Sequence, residues 1–151
     1  MSKKICIAID AMGGENAPYK NIEGIYLFWK KNKKGNDFFF NIFGDEQKVN
    51  SELKKYNIPE VCYKIFHTPS TVSDNETPLT AVKTSKNSSM WNSVYSQVKS
   101  ESDISLSAGN TGVLLVISRM ILKTINGVSK PALAGLWPNL NGMNIVLDLG
   151  A

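Results

Sequence analysis

Arginine and histidine are scarce in this chain. Lysine and arginine together number 17 in 151 residues, but Arg119 is the single arginine and His67 the single histidine. Arginine is the side chain that grips phosphates and bases through two parallel hydrogen bonds, so its scarcity argues against recognition of that kind. The net charge of +4 suits an acidic partner. Without a clustered basic and aromatic face, it does not indicate a nucleic-acid-binding protein.

Several motifs of well-known enzyme classes are also missing. There is no Gly-x-Ser-x-Gly nucleophile elbow, so a serine hydrolase is not expected, and we interpret His67 as structural. No glycine-rich stretch spells Gly-x-Gly-x-x-Gly, because segment 109–112 lacks the middle glycine, and NAD binding is not expected. Cys6 and Cys62 fall within predicted strands and are interpreted as core residues. With no cluster of metal-ligating residue types, we expect neither a metal nor another cofactor.

Long hydrophobic runs are absent as well. The most apolar segment, 113–122, is interrupted by Ser118 and Arg119. It is also far shorter than the ~20 residues that span a membrane. The N-terminal apolar run, 5–9, is too short for a signal peptide, so we expect a cytoplasmic protein. The hydrophobic fraction of 42% and charged fraction of 20% are those of an ordinary globular domain.

What the sequence does contain is a strand that ends in a glycine-rich turn and opens a helix. This segment is SAGNTG at 107–112, and it lies between a predicted strand at 103–107 and a predicted helix at 113–125. We call it the second glycine loop, because a similar loop precedes it in the chain. Glycines let the backbone approach a ligand closely, and the first N–H groups of a helix lack an intrahelical acceptor. Such a join is suited to binding an anion, although it also occurs without a ligand.

A similar join follows the first predicted strand, 5–9. This first glycine loop, DAMGGENAP at 10–18, has paired glycines, an asparagine and a proline that can occupy the first turn of a helix. In an α/β sheet, ligands bind outside the carboxyl ends of the strands. Both glycine loops are predicted at those ends, which is an argument for one shared site.

Strands alternate with amphipathic helices along the chain, which favours an α/β fold. We predict three layers of the Rossmann type, a largely parallel sheet with helices on both faces. A two-residue turn is predicted at Asn141-Gly142. The remaining predicted strands are 38–43, 61–66, 131–137 and 144–149. One of the remaining predicted helices spans 18–31, and another is capped by Asp45. A third runs from Pro78 to about Ser85 with Thr77 as its cap, and a fourth starts at 87–89.

Three segments, in this order, resemble the PlsX family of bacterial phosphate acyltransferases of phospholipid synthesis. They are IDAMGG at 9–14, SAGNTG at 107–112 and LDLGA at 147–151, and segments 78–90 and 131–133 match the same pattern. The resemblance covers the whole chain and implies a fold like that of isocitrate and isopropylmalate dehydrogenases. Because that family is about twice as long, we expect residues 1–151 to form a single α/β domain, the N-terminal half of a longer family fold, and the fold of this chain to be incomplete.

The resemblance implies transfer of a fatty acyl group from acyl carrier protein to inorganic phosphate, which gives an acyl phosphate. It also implies a homodimer in the full-length family and leaves peripheral membrane contact open, with no nucleic acid partner. Phosphate is itself the nucleophile and the thioester is already activated. The site therefore has to position phosphate and stabilise the developing oxyanion, which backbone N–H groups and neutral donors can do.

The loops and the resemblance together give a set of candidate site residues. Asn110 and Lys83 are the candidate catalytic residues. For each aspartate in the set, a hydrogen bond that caps its own turn is an equally good interpretation. Lys83 and Lys86 stand where the family pattern is richer in arginine, so they keep the charge but lose two-pronged anion binding. The candidate phosphate- and substrate-binding residues are Asp10, Gly13, Gly14, Asn16, Ser107, Gly109, Asn110, Thr111, Gly112 and Asp148.

Two alternatives remain open at this point. The chain is a catalytically inactive fragment that only binds phosphate or carrier protein, or it is another anion-handling α/β enzyme, such as a phosphotransacetylase-like relative. The lysines at 30–34 would steer an acidic carrier protein towards the chain, although cations at the end of a helix need no partner.

Overall fold

A parallel sheet of four strands organises the part of the chain that the computed structural model describes, residues 4–32, 37–147 and 149. The spatial order of the strands is β3-β2-β1-β4, and every neighbouring pair is parallel. After β1, the chain places β2 and β3 successively on one side of β1, and it then places β4 on the other side. The strands are β1 (Ile5–Asp10), β2 (Phe38–Gly44), β3 (Tyr63–His67) and β4 (Ile104–Ser107).

The first face of the sheet is covered by α1 (Tyr19–Lys31) and α2 (Glu46–Leu53). Alternate residues of β1 and β2 point at these helices, since successive side chains of a strand face opposite sides. Asp45 caps α2 as predicted, and its carboxylate accepts the N–H of Lys48 at 3.1 Å. The buried residues of this layer are Ile7, Ile9, Ala11, Ile22, Ile25, Phe40, Ile42, Val49, Leu53, Ile58 and Cys62.

The second face is covered by α4 (Ser89–Val98), which packs across β1, β2 and β4. α3 (Pro78–Thr84) and α5 (Thr111–Leu122) pack against each other, and α5 also packs against α4. Helices on both faces of a parallel sheet confirm the predicted three-layer, Rossmann-like α/β fold. The second core consists of Val72, Ala81, Met90, Val94, Val113 and Ile117.

Several element boundaries differ from the sequence-based ones. α5 spans 111–122 rather than 113–125, because Asn110 caps it directly and Lys123 leaves the helical region with a φ of 62°. Residues 60–62 form a short 3-10 turn ahead of β3, so Cys62 is buried but lies outside the strand. Thr77 caps α3 with proline at the first helical position, as predicted.

The C-terminal strands do not join the parallel sheet, which corrects the expectation that they continue it. β5 (Ala134–Asn139) and β6 (Gly142–Leu147) form a separate antiparallel hairpin. The two residues that join them are Leu140 and Asn141, one position earlier than the predicted turn at 141–142, and so short a connection can join antiparallel strands but not parallel ones. β6 ends at Leu147, and Asp148 lies outside the described residues.

Candidate functional site

The two glycine loops touch at the carboxyl edge of the sheet. β1 and β4 are neighbours, and Asp10 at the end of β1 pairs with Ser107 at the end of β4. A Cβ placed on Gly13 would lie 2.5 Å from Asp10 Oδ2 and 2.9 Å from the Gly109 nitrogen. No side chain fits into that contact. The prediction that both loops meet at one edge is therefore confirmed.

The first glycine loop is held in place from two sides. Gly14 has a φ of +87°, and a Cβ there would lie 2.5 Å from the Ala108 carbonyl oxygen. The Asn21 amide in α1 donates to the carbonyls of Ala11 and Gly13, both at 2.9 Å. The sequence reasoning missed Asn21. An amide side chain in the first turn of the helix after a glycine loop is the signal that points to it.

Asp10 is buried at the junction of the two loops, with 1% of its surface exposed. Ser107 Oγ donates to its Oδ2 at 2.7 Å, and the Met12 N–H donates to its Oδ1 at 3.3 Å. The bond from Met12 is the turn-capping interaction considered for this residue. Burial raises the pKa of the Asp10 carboxyl, while hydrogen bonds from Ser107, Ser89, Met12 and Gly13 oppose that rise. Its oxygens are directed at protein donors.

The hydrogen bond from Ser107 to Asp10 is continued by a second bond within the second loop. The Gly109 N–H donates to Ser107 Oγ at 3.1 Å, while the Ser107 hydroxyl donates its own hydrogen to Asp10. The Gly109 N–H is thereby engaged within the protein. The N–H groups of Thr111 and Gly112 start α5, where helix geometry provides no intrahelical acceptor. These are the backbone donors that the second loop offers to an anion.

The Asn110 side chain has a different set of partners from those expected of a direct ligand. Its Oδ1 accepts the Val113 N–H at 3.1 Å, which caps α5. Its Nδ2 donates to the carbonyl oxygens of Asp74 and Glu76 at 2.9 and 3.1 Å. Both amide hydrogens are thus used to hold the loop before α3 against the start of α5.

The first turn of α4 forms a third side of this edge. Ser88 caps α4 by accepting the Trp91 N–H at 3.1 Å, and the Ser89 N–H donates to the Ser70 carbonyl at 3.2 Å. A Cβ placed on Gly109 would lie 2.9 Å from Met90 Cε. The start of α4 therefore packs directly against the second loop.

The remaining predicted residues are not drawn into this edge. Asn16 is exposed, with a positive φ of 59°. Lys83, in the last turn of α3, and Lys86, just after it, are also exposed. No hydrogen bond or ion pair found among the described residues joins either lysine to the glycine loops. Asp148 is not among those residues.

An apolar groove of about 370 Å³ opens beside the loops, between α1 and β4. Ile25, Phe28 and Leu106 line it, and it reaches Ser107 and Ala108 at the second loop. None of the helices in the described ranges combines the length and the hydrophobicity of a membrane-spanning segment. The same ranges contain no group of three His, Cys, Asp or Glu side chains placed to hold a metal ion.

Comparison with known proteins assigns the family. The model of the family described as "Fatty acid synthesis protein" matches residues 5–151. The chain is 47% identical over 151 residues to a phosphate acyltransferase of Pelagibacter ubique (strain HTCC1062), which covers 100% of this chain and 44% of that protein. It is 36% identical over 152 residues to a phosphate acyltransferase of Rhodopseudomonas palustris (strain BisB18), covering 100% of this chain and 42% of that protein. The chain thus spans less than half the length of these curated relatives, and it belongs to the fatty acid synthesis protein family.

Proposed function

We propose that this chain forms the phosphate-binding part of a phosphate acyltransferase that transfers a fatty acyl group from acyl carrier protein to inorganic phosphate. The names of the relatives support the reaction class. The contact between the two glycine loops beneath the start of α5 is the observation that carries the assignment to this site. In this proposal, Gly13, Gly14, Thr111 and Gly112 form the phosphate-binding surface, which we call the cradle.

The cradle offers what binding of phosphate requires. The Thr111 and Gly112 N–H groups and the positive end of the α5 dipole attract an anion without a metal or an arginine. The Thr111 side chain is exposed and adds a hydroxyl donor. The Asp10 carboxylate would repel phosphate, but it is buried beneath Gly13 and hydrogen-bonded to protein groups. An anion at the cradle therefore meets donors first.

In the proposed reaction, an oxygen of the bound phosphate attacks the carbonyl carbon of the acyl thioester. The carbon–sulfur bond breaks, and the carrier protein leaves as a thiol after its sulfur gains a proton. Holding the two reactants in line supplies much of the rate enhancement in such a displacement. N–H donors aimed at the developing oxyanion supply more.

The remaining predicted residues take supporting roles in this proposal. The Asn110 side chain positions α5 and its N–H groups, instead of touching the reacting atoms itself. Lys83 and Lys86 are exposed cations that attract the acidic carrier protein, a steering effect that falls with added salt. Asn16 and Asp148 remain predicted binding residues, and the homodimer and the peripheral membrane contact remain expectations from the family.

The reaction is tested by measuring free thiol released from a long-chain acyl carrier protein, with and without inorganic phosphate. Three proteins are compared: this chain, the full-length Pelagibacter ubique relative, and this chain fused to the part of that relative beyond the matched region. We expect phosphate-dependent release by the relative and the fusion. Release by the relative but not by the fusion would contradict the assignment of the cradle to this reaction.

An inactive, binding-only role is the second candidate, and one observation favours it for the isolated chain. Leu106 of β4 is 53% exposed in the groove beside the cradle, so this side of the sheet lacks cover. In the same assay, this role predicts phosphate binding by the isolated chain with no thiol release from it.

A further inference from the structure

We propose that Ser89 is a positioning residue that acts through Asp10, and that these two residues with Ser107 fix both glycine loops to the start of α4. The inference rests on the proposed function only in treating this junction as the support of a phosphate site. The arrangement of these three side chains is a property of the protein without ligand.

The Ser89 side chain lies in the interior with a hydroxyl group that lacks a proper partner. Ser89 is 1% exposed, and its Oγ has no hydrogen-bond partner in the part of the chain that the structure describes. Ser89 precedes Met90, which contacts Gly109, so its hydroxyl lies in the interior beside the junction of Ser107 and Asp10, where it opposes the rise in the pKa of the Asp10 carboxyl. Buried hydroxyls are usually hydrogen-bonded, so one that faces a carboxylate without a well-formed bond has an obvious acceptor.

Asp10 has an acceptor position left for this hydroxyl. An ionised carboxylate offers about four lone-pair positions on its two oxygens. Ser107 Oγ takes one on Oδ2 at 2.7 Å, and the Met12 N–H takes one on Oδ1 at 3.3 Å, with the Gly13 N–H nearby. A small rotation of the Ser89 hydroxyl completes the set. Donation from all three polypeptide segments favours the ionised form, because a protonated carboxyl loses an acceptor position to its own hydrogen.

The junction controls where Gly109 lies. Ser107 Oγ accepts the Gly109 N–H at 3.1 Å while it donates its own hydrogen to Asp10 Oδ2 at 2.7 Å, so the position of Gly109 is tied to Asp10 through Ser107. Met90, next to Ser89, contacts Gly109 from the other side. Displacement of Ser89 therefore moves both supports of the loop that leads into the N–H groups of α5.

The charged surroundings of Asp10 are sparse. Lys20 of α1 lines the groove that reaches Asp10, and it pairs with Glu23 at 3.0 Å. β2 presents Phe43 beside Asp10, β4 presents Ser107, and α4 presents Ser89. The hydroxyl donors are therefore the main influence, apart from burial, on the charge of this carboxyl.

The test is an NMR titration of the Asp10 carboxyl carbon and the Gly109 amide, in the wild type and in Ser89→Ala. Removal of a donor to the ionised form raises the pKa of Asp10 further, and the Gly109 amide shift follows the same titration. Ser96→Ala is the matched control, because Ser96 is 1% exposed in the same helix but donates to the Ser93 carbonyl at 2.7 Å. We expect Ser96→Ala to leave the Asp10 titration unchanged.

Phosphate affinity is measured on the same samples by calorimetry. Ser89→Ala is expected to weaken phosphate binding about 3- to 10-fold, the effect of one lost hydrogen bond. An Asp10 pKa equal in the wild type and in Ser89→Ala overturns the inference. If the wild type binds no phosphate, the proposed function fails, while the Asp10 titration still decides the role of Ser89. Should Ser89→Ala not fold, Ser89→Cys, a weaker donor of similar shape, is expected to raise the pKa in the same direction.

Discussion

The two glycine loops follow neighbouring strands, yet their glycines are required for different reasons. In the first loop, Gly13 and Gly14 are demanded by the protein itself, since a Cβ on either would lie 2.5 Å from an oxygen atom. In the second loop, Gly109 is also packed, since a Cβ there would lie 2.9 Å from Met90 Cε, but a Cβ on Gly112 would meet nothing closer than 3.5 Å. Packing thus explains the first pair and leaves Gly112 unexplained. The difference indicates that the first loop is a rigid wall, and under the proposed function the space next to Gly112 is the part left open for phosphate.

Gly13→Ala is expected to have the largest effect on stability. The new methyl group would overlap Asp10 Oδ2 and the Gly109 nitrogen, and neither can retreat without breaking the bonds of Ser107. Overpacking of this kind costs about 1–3 kcal/mol, measured by chemical unfolding. Gly24→Ala in α1 is the control, because a Cβ there meets nothing within 4 Å. The free energy of unfolding of the control should increase by about 0.4–1 kcal/mol. Equal stability of the two variants would contradict the interpretation of the first loop as rigid.

Asn110→Ala is expected to lower the free energy of unfolding by about 0.5–2 kcal/mol, the typical value of a helix cap. It should also weaken phosphate binding, because the start of α5 loses its fastening to the Asp74 and Glu76 carbonyls. Asp45→Ala removes the equivalent cap of α2, away from the loops. If both variants lose stability and bind phosphate equally well, the second loop is not the binding loop.

Gly112→Ala separates stability from binding. With room for the methyl group, this variant should be as stable as the wild type or slightly more so. A methyl group in the ligand space should still weaken phosphate binding about 10-fold, equivalent to ~1.4 kcal/mol. Thermal unfolding tests the expected stability, and calorimetry with phosphate on the same sample tests the expected loss of affinity. Unchanged phosphate affinity would remove the distinction between the loops.

Asp10→Asn is expected to change the pH dependence of stability by a smaller amount. Because burial raises the pKa of Asp10 above 3.8, the folded state holds this proton more tightly than the unfolded state. The stabilising contribution of the proton is complete below pH 3.8 and is lost as the pH rises through the folded-state value. Stability of Asp10→Asn relative to the wild type should therefore increase with pH over that window. A difference that does not vary with pH, in melting curves at several pH values, would contradict the raised pKa.

Local sequence signals gave the framework of the fold correctly. Apolar runs followed by glycine-rich turns predicted β1 and β4, and the caps Asp45 and Thr77 were identified from residue type and position. The meeting of the two loops followed from a general rule about parallel strands. Each of these features depends on residues close in the chain or on topology alone.

The details that escaped prediction depend on tertiary contacts. That Ser89 is buried beside Asp10, and that both hydrogens of Asn110 are used by the loop before α3, follows from segments that meet only in the fold. The hairpin is a different case. The turn predicted at 141–142, one position after the observed one, already implied antiparallel strands, but the alternation of strands and helices elsewhere suggested one sheet.

The measurement that tests the cradle most directly is a titration of this chain with inorganic phosphate, followed residue by residue through backbone amide NMR shifts. Sulfate and chloride at matched ionic strength serve as controls. We predict saturable shifts centred on Gly14, Thr111 and Gly112. Shifts confined to the lysines at the end of α1, or of equal size with every anion, would contradict a phosphate site at the two glycine loops.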